Sequence, residues 1–212
     1  MIIAKHHTER AAEICELLAE RIRPGERFTL AVAGESGAGK SELAYEIHRL
    51  LNERGIQADV LQQDDYFVFP PRTNHEMRRR NLEQVGPYEV KLDFLDSNLR
   101  SFKQGESAVY KPLVIYEKDL ITREEMPVAD LAVLIAEGTY TSLLEFVDLR
   151  VFIDRTYRQT LEARKRRARD QWEPFIQDVL EREHQIISQH RALADVVIPD
   201  DFGSIEVRER QQ

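Results

Sequence analysis

With 212 residues, 42% of them hydrophobic and 32% charged, the chain can bury one sizeable core without staples or metals. A net charge of −8 argues against general nucleic-acid binding, whose affinity comes from neutralising backbone phosphates. The longest nearly continuous apolar run, Leu131 to Ala136, is too short for a bilayer, the N-terminal MIIAKHHTER lacks a signal-peptide pattern, and Cys15 is alone. These features predict a cytoplasmic protein with no membrane or nucleic-acid partner.

Thr8 to Arg23 carries Ala12, Cys15, Leu18, Ala19 and Ile22 at helical spacing, and Arg23-Pro24-Gly25 stops it. Phe28 to Ala33 reads as a buried central strand running into a glycine-rich turn. From Lys40 the period becomes helical, with Leu43, Ile47, Leu50 and Leu51 on one face, until Gly55. Ile56 to Gln62 reads as a second strand with Asp64-Asp65 past its end. Residues 66 to 90 read as irregular, because Pro70-Pro71 and Gly86-Pro87 are breakers. Val90 to Lys103 is helical, and Ala108 to Tyr116 is expected to hold one or two short strands. Leu131 to Ala136 and Leu149 to Asp154 are buried-strand candidates. A charged helix is predicted from Thr156 to about Arg169, another from about Phe175 to His190, and a last strand over Asp195 to Ile198. Strands alternating with helices predict an α/β fold with a mainly parallel central sheet, in one domain over 1–212. Ligands in such folds sit at the carboxyl ends of the strands, where Gly34 to Ser41, Asp64 and Glu137 all fall.

Gly34-Glu35-Ser36-Gly37-Ala38-Gly39-Lys40-Ser41 fits the phosphate-binding P-loop pattern, with a strand before it and a helix after it. Glycines let successive backbone N–H groups ring a phosphate, and the helix N-terminus adds a favourable dipole. Lys40 is expected to neutralise β/γ oxygens, and the Ser41 hydroxyl to ligate magnesium. The loop predicts nucleotide triphosphate binding without saying what becomes of the terminal phosphate.

Transfer of that phosphate needs an acceptor hydroxyl, a carboxylate to take its proton, and cations to absorb developing charge. Asp64, within Gln63-Asp64-Asp65-Tyr66-Phe67, is the expected base, with a second duty toward magnesium and Asp65 as the next candidate. Glu137 is placed as a second magnesium carboxylate. The basic run from Arg164 to Arg169 is expected to act as a lid, over approximately 160–176, that folds over the phosphates. The competing readings are a nucleotide-dependent switch, disfavoured because no Asn-Lys-x-Asp element occurs, and a motor, disfavoured by the acidic charge.

These residues resemble the uridine kinase and phosphoribulokinase family of P-loop kinases, roughly from Phe28 to Ile198. GESGAGKS is similar to the family's P-loop, and Gln63 to Phe67 to its Gln-Asp-x-aromatic-aromatic element. Leu134 to Gly138 resembles the strand ending in Glu-Gly, Arg166 to Asp170 the lid arginines, and Ala194 to Ile198 the closing strand. The resemblance implies an ATP- and Mg2+-dependent kinase of a small-molecule acceptor, uridine or cytidine kinase-like, that can form homo-oligomers. It implies Asp64, Lys40 and Arg169 as catalytic residues and Arg166 and Arg167 on ATP, with Ser41, Glu137 and Asp64 toward the metal. Tyr66, Phe67, Tyr88, Glu89, Tyr116 and Arg123 are implied toward the acceptor. In the two acceptor-reading segments, Tyr88 follows the proline of Gly86-Pro87, and Ile121 stands where the family has a base-reading histidine. Other acceptors, such as a sugar phosphate or a vitamin precursor, are therefore the alternative.

Three further features have plain readings. The six histidines are scattered without metal spacing, and His184 is expected on a solvated helix face or paired with Glu181. Trp172, beside the expected lid, is an apolar anchor or a stacking residue. Arg78-Arg79-Arg80 reads as a charged helical surface, with contact to a phosphorylated acceptor as the alternative.

Overall fold

In chain order the elements are α1 (Lys5–Arg21), β1 (Phe28–Gly34), α2 (Lys40–Glu53), β2 (Ala58–Gln62), α3 (Pro71–Arg80), α4 (Leu92–Lys103), β3 (Ala108–Ile115) and β4 (Leu120–Pro127). Then follow β5 (Val133–Glu137), β6 (Leu149–Ile153), a helix α5 over 157–161, α6 (Pro174–Ile187), β7 (Val196–Ile198) and β8 (Glu206–Val207). The structure, a computed structural model, describes residues 3–161 and 173–208. No helix among the described residues is long and apolar enough to cross a membrane.

Six strands form one sheet in the order β2-β5-β1-β6-β7-β8, parallel except for β8. The central strands are apolar on both faces because helices cover both. Alternation along each strand sends its side chains to two separate cores. Leu30 and Val32 of β1, with Val133 and Ile135 of β5, meet Ala11, Ile14 and Leu18 of α1 and Leu43 and Ile47 of α2. Ala31 and Ala33, with Leu134 and Ala136, face Leu95, Leu99 and Phe102 of α4 and Ile187 of α6. Each fully buried leucine or isoleucine contributes about 1.5–3 kcal/mol by leaving water.

The α/β reading and its parallel sheet hold, and the predicted strands and helices are found with end shifts of a few residues. Three elements escaped, the short edge strand β8 among them. Pro71 starts α3 instead of breaking the chain, because the first helical position needs no N–H and suits proline's fixed φ. Strand β4, LITREEMP, is mostly exposed and shows little apolar alternation. It forms because it pairs antiparallel with β3 over eight residue pairs. The predicted charged helix is described only over 157–161; its remainder, with Arg166, Arg167, Arg169 and Trp172, lies outside the described residues.

Candidate phosphate and acceptor site

Sheet register assembles the site. Val32 of β1 and Gln62 of β2 both stand opposite Glu137, the last residue of β5, so β2 and β5 end at one level and β1 runs two residues further, to Gly34. The P-loop leaves β1 there, Asp64 follows β2, and Gly138 follows β5. Gly138 has φ +159°, and a Cβ on it would lie 2.2 Å from the Cβ of Gln63. Its bare backbone lets Gln63 pack in and accept a hydrogen bond from the Tyr140 N–H at 2.7 Å. Gln63, the residue before Asp64, is thereby fixed to β5's exit, which sequence reasoning missed.

Within the loop, Gly39 has φ +106°, and an added Cβ would lie 2.7 Å from His7 Nε2. Lys40 Nζ donates to the Glu35 carbonyl at 3.0 Å, and the Ser41 hydroxyl donates to Glu137 Oε1 at 3.1 Å. The Glu35 side chain turns away from the cradle: Oε2 accepts from the Tyr157 N–H, and Oε1 pairs with His184 Nδ1, both at 2.6 Å. Of Glu35, then, only the backbone faces the phosphate position. His184 is half-buried and bonded to Glu35, while Glu181 accepts from the Tyr157 hydroxyl and Arg158.

Glu137 is buried, and its carboxyl is pushed up to about 7. Burial is the main cause and the Asp64 charge adds to it, while Lys40 and the Ser41 hydrogen bond oppose it. The Asp64 side chain is exposed, yet the surrounding protein crowds it. That desolvation raises its carboxyl above the ordinary range, with Lys40 and Arg78 pulling it down and Asp65 pushing it up. Two carboxylates, a hydroxyl and one ammonium thus share a space with excess negative charge. This donor set fits a hard divalent cation, which takes one or two carboxylates together with phosphate oxygens.

Asp65, next to the expected base, is committed elsewhere. Its Oδ2 pairs with Lys111 Nζ at 2.9 Å and its Oδ1 accepts from the Val114 N–H at 3.0 Å, tying the turn to the β3–β4 hairpin. This excludes Asp65 as the alternative base in this arrangement. Tyr66 is fully buried, its hydroxyl accepting from Asn98 Nδ2 at 2.8 Å. The 3₁₀ turn over Gln63–Tyr66 points Tyr66 into the core. Phe67 is half-buried, with the Arg78 guanidinium 5.8 Å from its ring centre.

Arg78 is the main residue missed. Far from being a solvated surface charge, it is bidentate to Glu89, through Nε at 2.6 Å and Nη2 at 2.7 Å, and Nη2 lies 3.3 Å from Glu183 of α6. Burial works against its charge, but Glu89 and Glu183 more than offset this, so its pKa stays above the ordinary arginine value. Glu89 is consequently an ion-pair partner in place of an open acceptor ligand. The signal lay in Asn74 and Arg78, four residues apart on α3, both directed at Glu89. These residues border a cavity of about 630 Å³ that reaches Ser36 of the P-loop.

The remaining expected acceptor residues do not join that cavity. Tyr88 is 66% exposed and Tyr116 is 56% exposed. Arg123 lines a separate cleft of about 490 Å³ with Lys91, Phe94 and Ile121. The hairpin's antiparallel pairing carries Arg123 opposite Pro112, while the P-loop cavity is built on α3 and α6.

Comparison with known proteins agrees with this geometry. The chain is 28% identical over 211 residues to a bifunctional alpha-galactosidase/sucrose kinase of Mediterraneibacter gnavus, covering 93% of this chain but 22% of that longer protein. It is 25% identical over 186 residues to a uridine kinase of Leuconostoc citreum, covering 82% and 87% of the two chains. A possible uridine kinase from Bacillus stearothermophilus shares the fold at TM-score 0.64 and 21% identity, over 89% and 97% of the chains. A putative fructose transport system kinase from Silicibacter does so at 0.63 and 23%, over 86% and 93%. The sequence model of the Phosphoribulokinase / Uridine kinase family matches residues 29–181, well over half of the chain, and the protein belongs to that family of kinases.

Proposed function

We propose that this protein moves the γ-phosphate of ATP to a hydroxyl of a small-molecule acceptor, with Asp64 receiving the hydroxyl's proton. The observation that carries this reading is the convergence of Asp64, Lys40 and the Ser41–Glu137 pair at the ends of three adjacent strands. The P-loop backbone and Lys40 hold the triphosphate, and Lys40 leaves the Glu35 carbonyl to do so. Ser41 and Glu137 would hold Mg2+, which neutralises charge between the β- and γ-phosphates. Asp64's raised carboxyl pKa suits a group that must accept a proton and release it afterwards.

Uridine is one acceptor that the relatives' names suggest, and the names of others point to sucrose and fructose. Tyr88 after the proline of Gly86-Pro87, and Ile121 where the family has a base-reading histidine, disfavour uridine. The test of phosphotransfer is Asp64→Asn, assayed for ADP release with a panel of nucleosides, sugars, sugar phosphates and vitamin precursors. Turnover should fall by about 10²–10⁴-fold with ATP affinity kept, the scale of a general base. Turnover within about threefold of wild type would move the base elsewhere.

A further inference from the structure

One residue of the P-loop works against the loop's own task. Glu35 puts a carboxylate on a turn whose backbone N–H groups are there to receive an anion. Such N–H cradles take carboxylates as well as phosphates, so the Glu35 side chain is the nearest competitor for this one. Its own main chain lies within the loop, the carbonyl accepting from Lys40 Nζ at 3.0 Å and from the Ala38 N–H at 3.1 Å.

Two bonds of 2.6 Å hold that carboxylate off. Oε2 accepts from the Tyr157 N–H, and Oε1 accepts from His184 Nδ1, because a carboxylate has no proton to give. Glu35 is 4% exposed, so water contributes little to holding it. His184 is in turn held by its surroundings. Its ring meets the Tyr157 ring edge-on at 5.9 Å, and the Tyr157 hydroxyl donates to Glu181 of the same helix at 2.5 Å. The next residue, Glu183, pairs with Arg78 of α3 at 3.3 Å. α6 is therefore anchored on both sides of the histidine.

We infer that His184 is a positioning residue for ATP: with the Tyr157 N–H it keeps the Glu35 carboxylate out of the phosphate cradle. This rests on reading the P-loop as the nucleotide site. His184 acts through Glu35 and leaves the loop's N–H groups to the triphosphate. A restraint of this kind differs from a plain structural tie between α6 and the loop in one respect. Loss of a tie cannot be repaired by removing the charge on Glu35, whereas loss of a restraint can, since the competing anion is then gone.

The experiment measures the ATP Kd by calorimetric titration with Mg2+ at neutral pH, with thermal unfolding followed alongside. His184→Leu should raise the Kd about 10- to 30-fold, the scale of stranding one member of a buried, hydrogen-bonded charged pair. Adding Glu35→Gln to that variant should return the Kd to within about threefold of wild type, because the amide oxygen still accepts from the Tyr157 N–H without competing as an anion. Glu35→Asp keeps the charge on an arm too short to span both partners and should raise the Kd about 10-fold, which tests the same point if His184→Leu does not fold. An unchanged Kd in His184→Leu or Glu35→Asp, or a double variant as weak as His184→Leu, overturns the restraint while leaving the nucleotide site standing. Wild-type protein that binds no ATP overturns that site and this inference with it.

Discussion

The two halves of the candidate site, the P-loop end of the sheet and the Arg78 network beside it, are built in opposite ways. The donor half is backbone and strand ends: a contiguous loop from Gly34 to Ser41, with Asp64 and Glu137 delivered by parallel register. The other half is side chains from separate elements, Asn74 and Arg78 of α3, Glu89 of a 3₁₀ turn, and Glu183 of α6, held together by one buried ion-pair network. A phosphate cradle must satisfy one fixed anion shape, so main-chain N–H groups at a helix N-terminus suffice.

The largest effect should come from the Arg78 network. Arg78→Ala removes the guanidinium that Glu89 and Glu183 share and should cost about 3–5 kcal/mol of stability, read as a fall in urea midpoint. A loss below about 1 kcal/mol would mean that the network is solvated and that the two halves differ less than their geometry suggests. In the donor half, Lys40→Ala should lower kcat/KM for ATP by about 10²–10³-fold with the fold intact, the scale of losing one charge-stabilising donor. An unaffected variant would dismiss the cradle.

Glu137 separates the halves by pH. Its folded carboxyl sits at about 7, above the ordinary carboxylate value of 4.5, so the folded state binds this proton more tightly than the unfolded chain. Its contribution is fully present below about pH 4.5 and is lost as pH rises through about 7, on the order of 3 kcal/mol across that window. The nucleotide-free protein should therefore lose stability between pH 5 and pH 8, roughly, and Glu137→Gln should flatten that slope. Identical slopes in the two proteins would place the proton on another group. The smallest effect tests the correction at Tyr66. Tyr66→Phe removes the bond from Asn98, which still donates to the Tyr110 carbonyl, and should cost about 1 kcal/mol with acceptor KM unchanged. A shift in that KM would return Tyr66 to the acceptor.

The aromatic and charged residues show where sequence reading stops. Tyr66 and Phe67 are adjacent in the chain, yet a 3₁₀ turn sends one into the core and leaves the other half-buried under Arg78. Arg78, Arg79 and Arg80 look alike in sequence. Arg78 closes a buried pair, Arg79 meets Glu173, and Arg80 is an exposed charge near Glu76. Composition cannot separate them, because burial depends on which face of α3 meets α6.

Local chemistry determined a good deal. Glycine spacing between a strand and a helix predicts a phosphate loop wherever it occurs, since the loop's own backbone makes the site. Apolar runs ending in Asp or Glu predict parallel strands with carboxylates at one sheet edge, because alternation and burial are properties of the strand itself. The tertiary packing decided the rest: Glu89 as the partner of Arg78, Glu35 turned to His184 and Tyr157, and Arg123 assigned to another cleft. Those outcomes depend on contacts between residues far apart in the chain, such as Arg78 with Glu183 and Glu35 with His184, whose geometry no local pattern encodes.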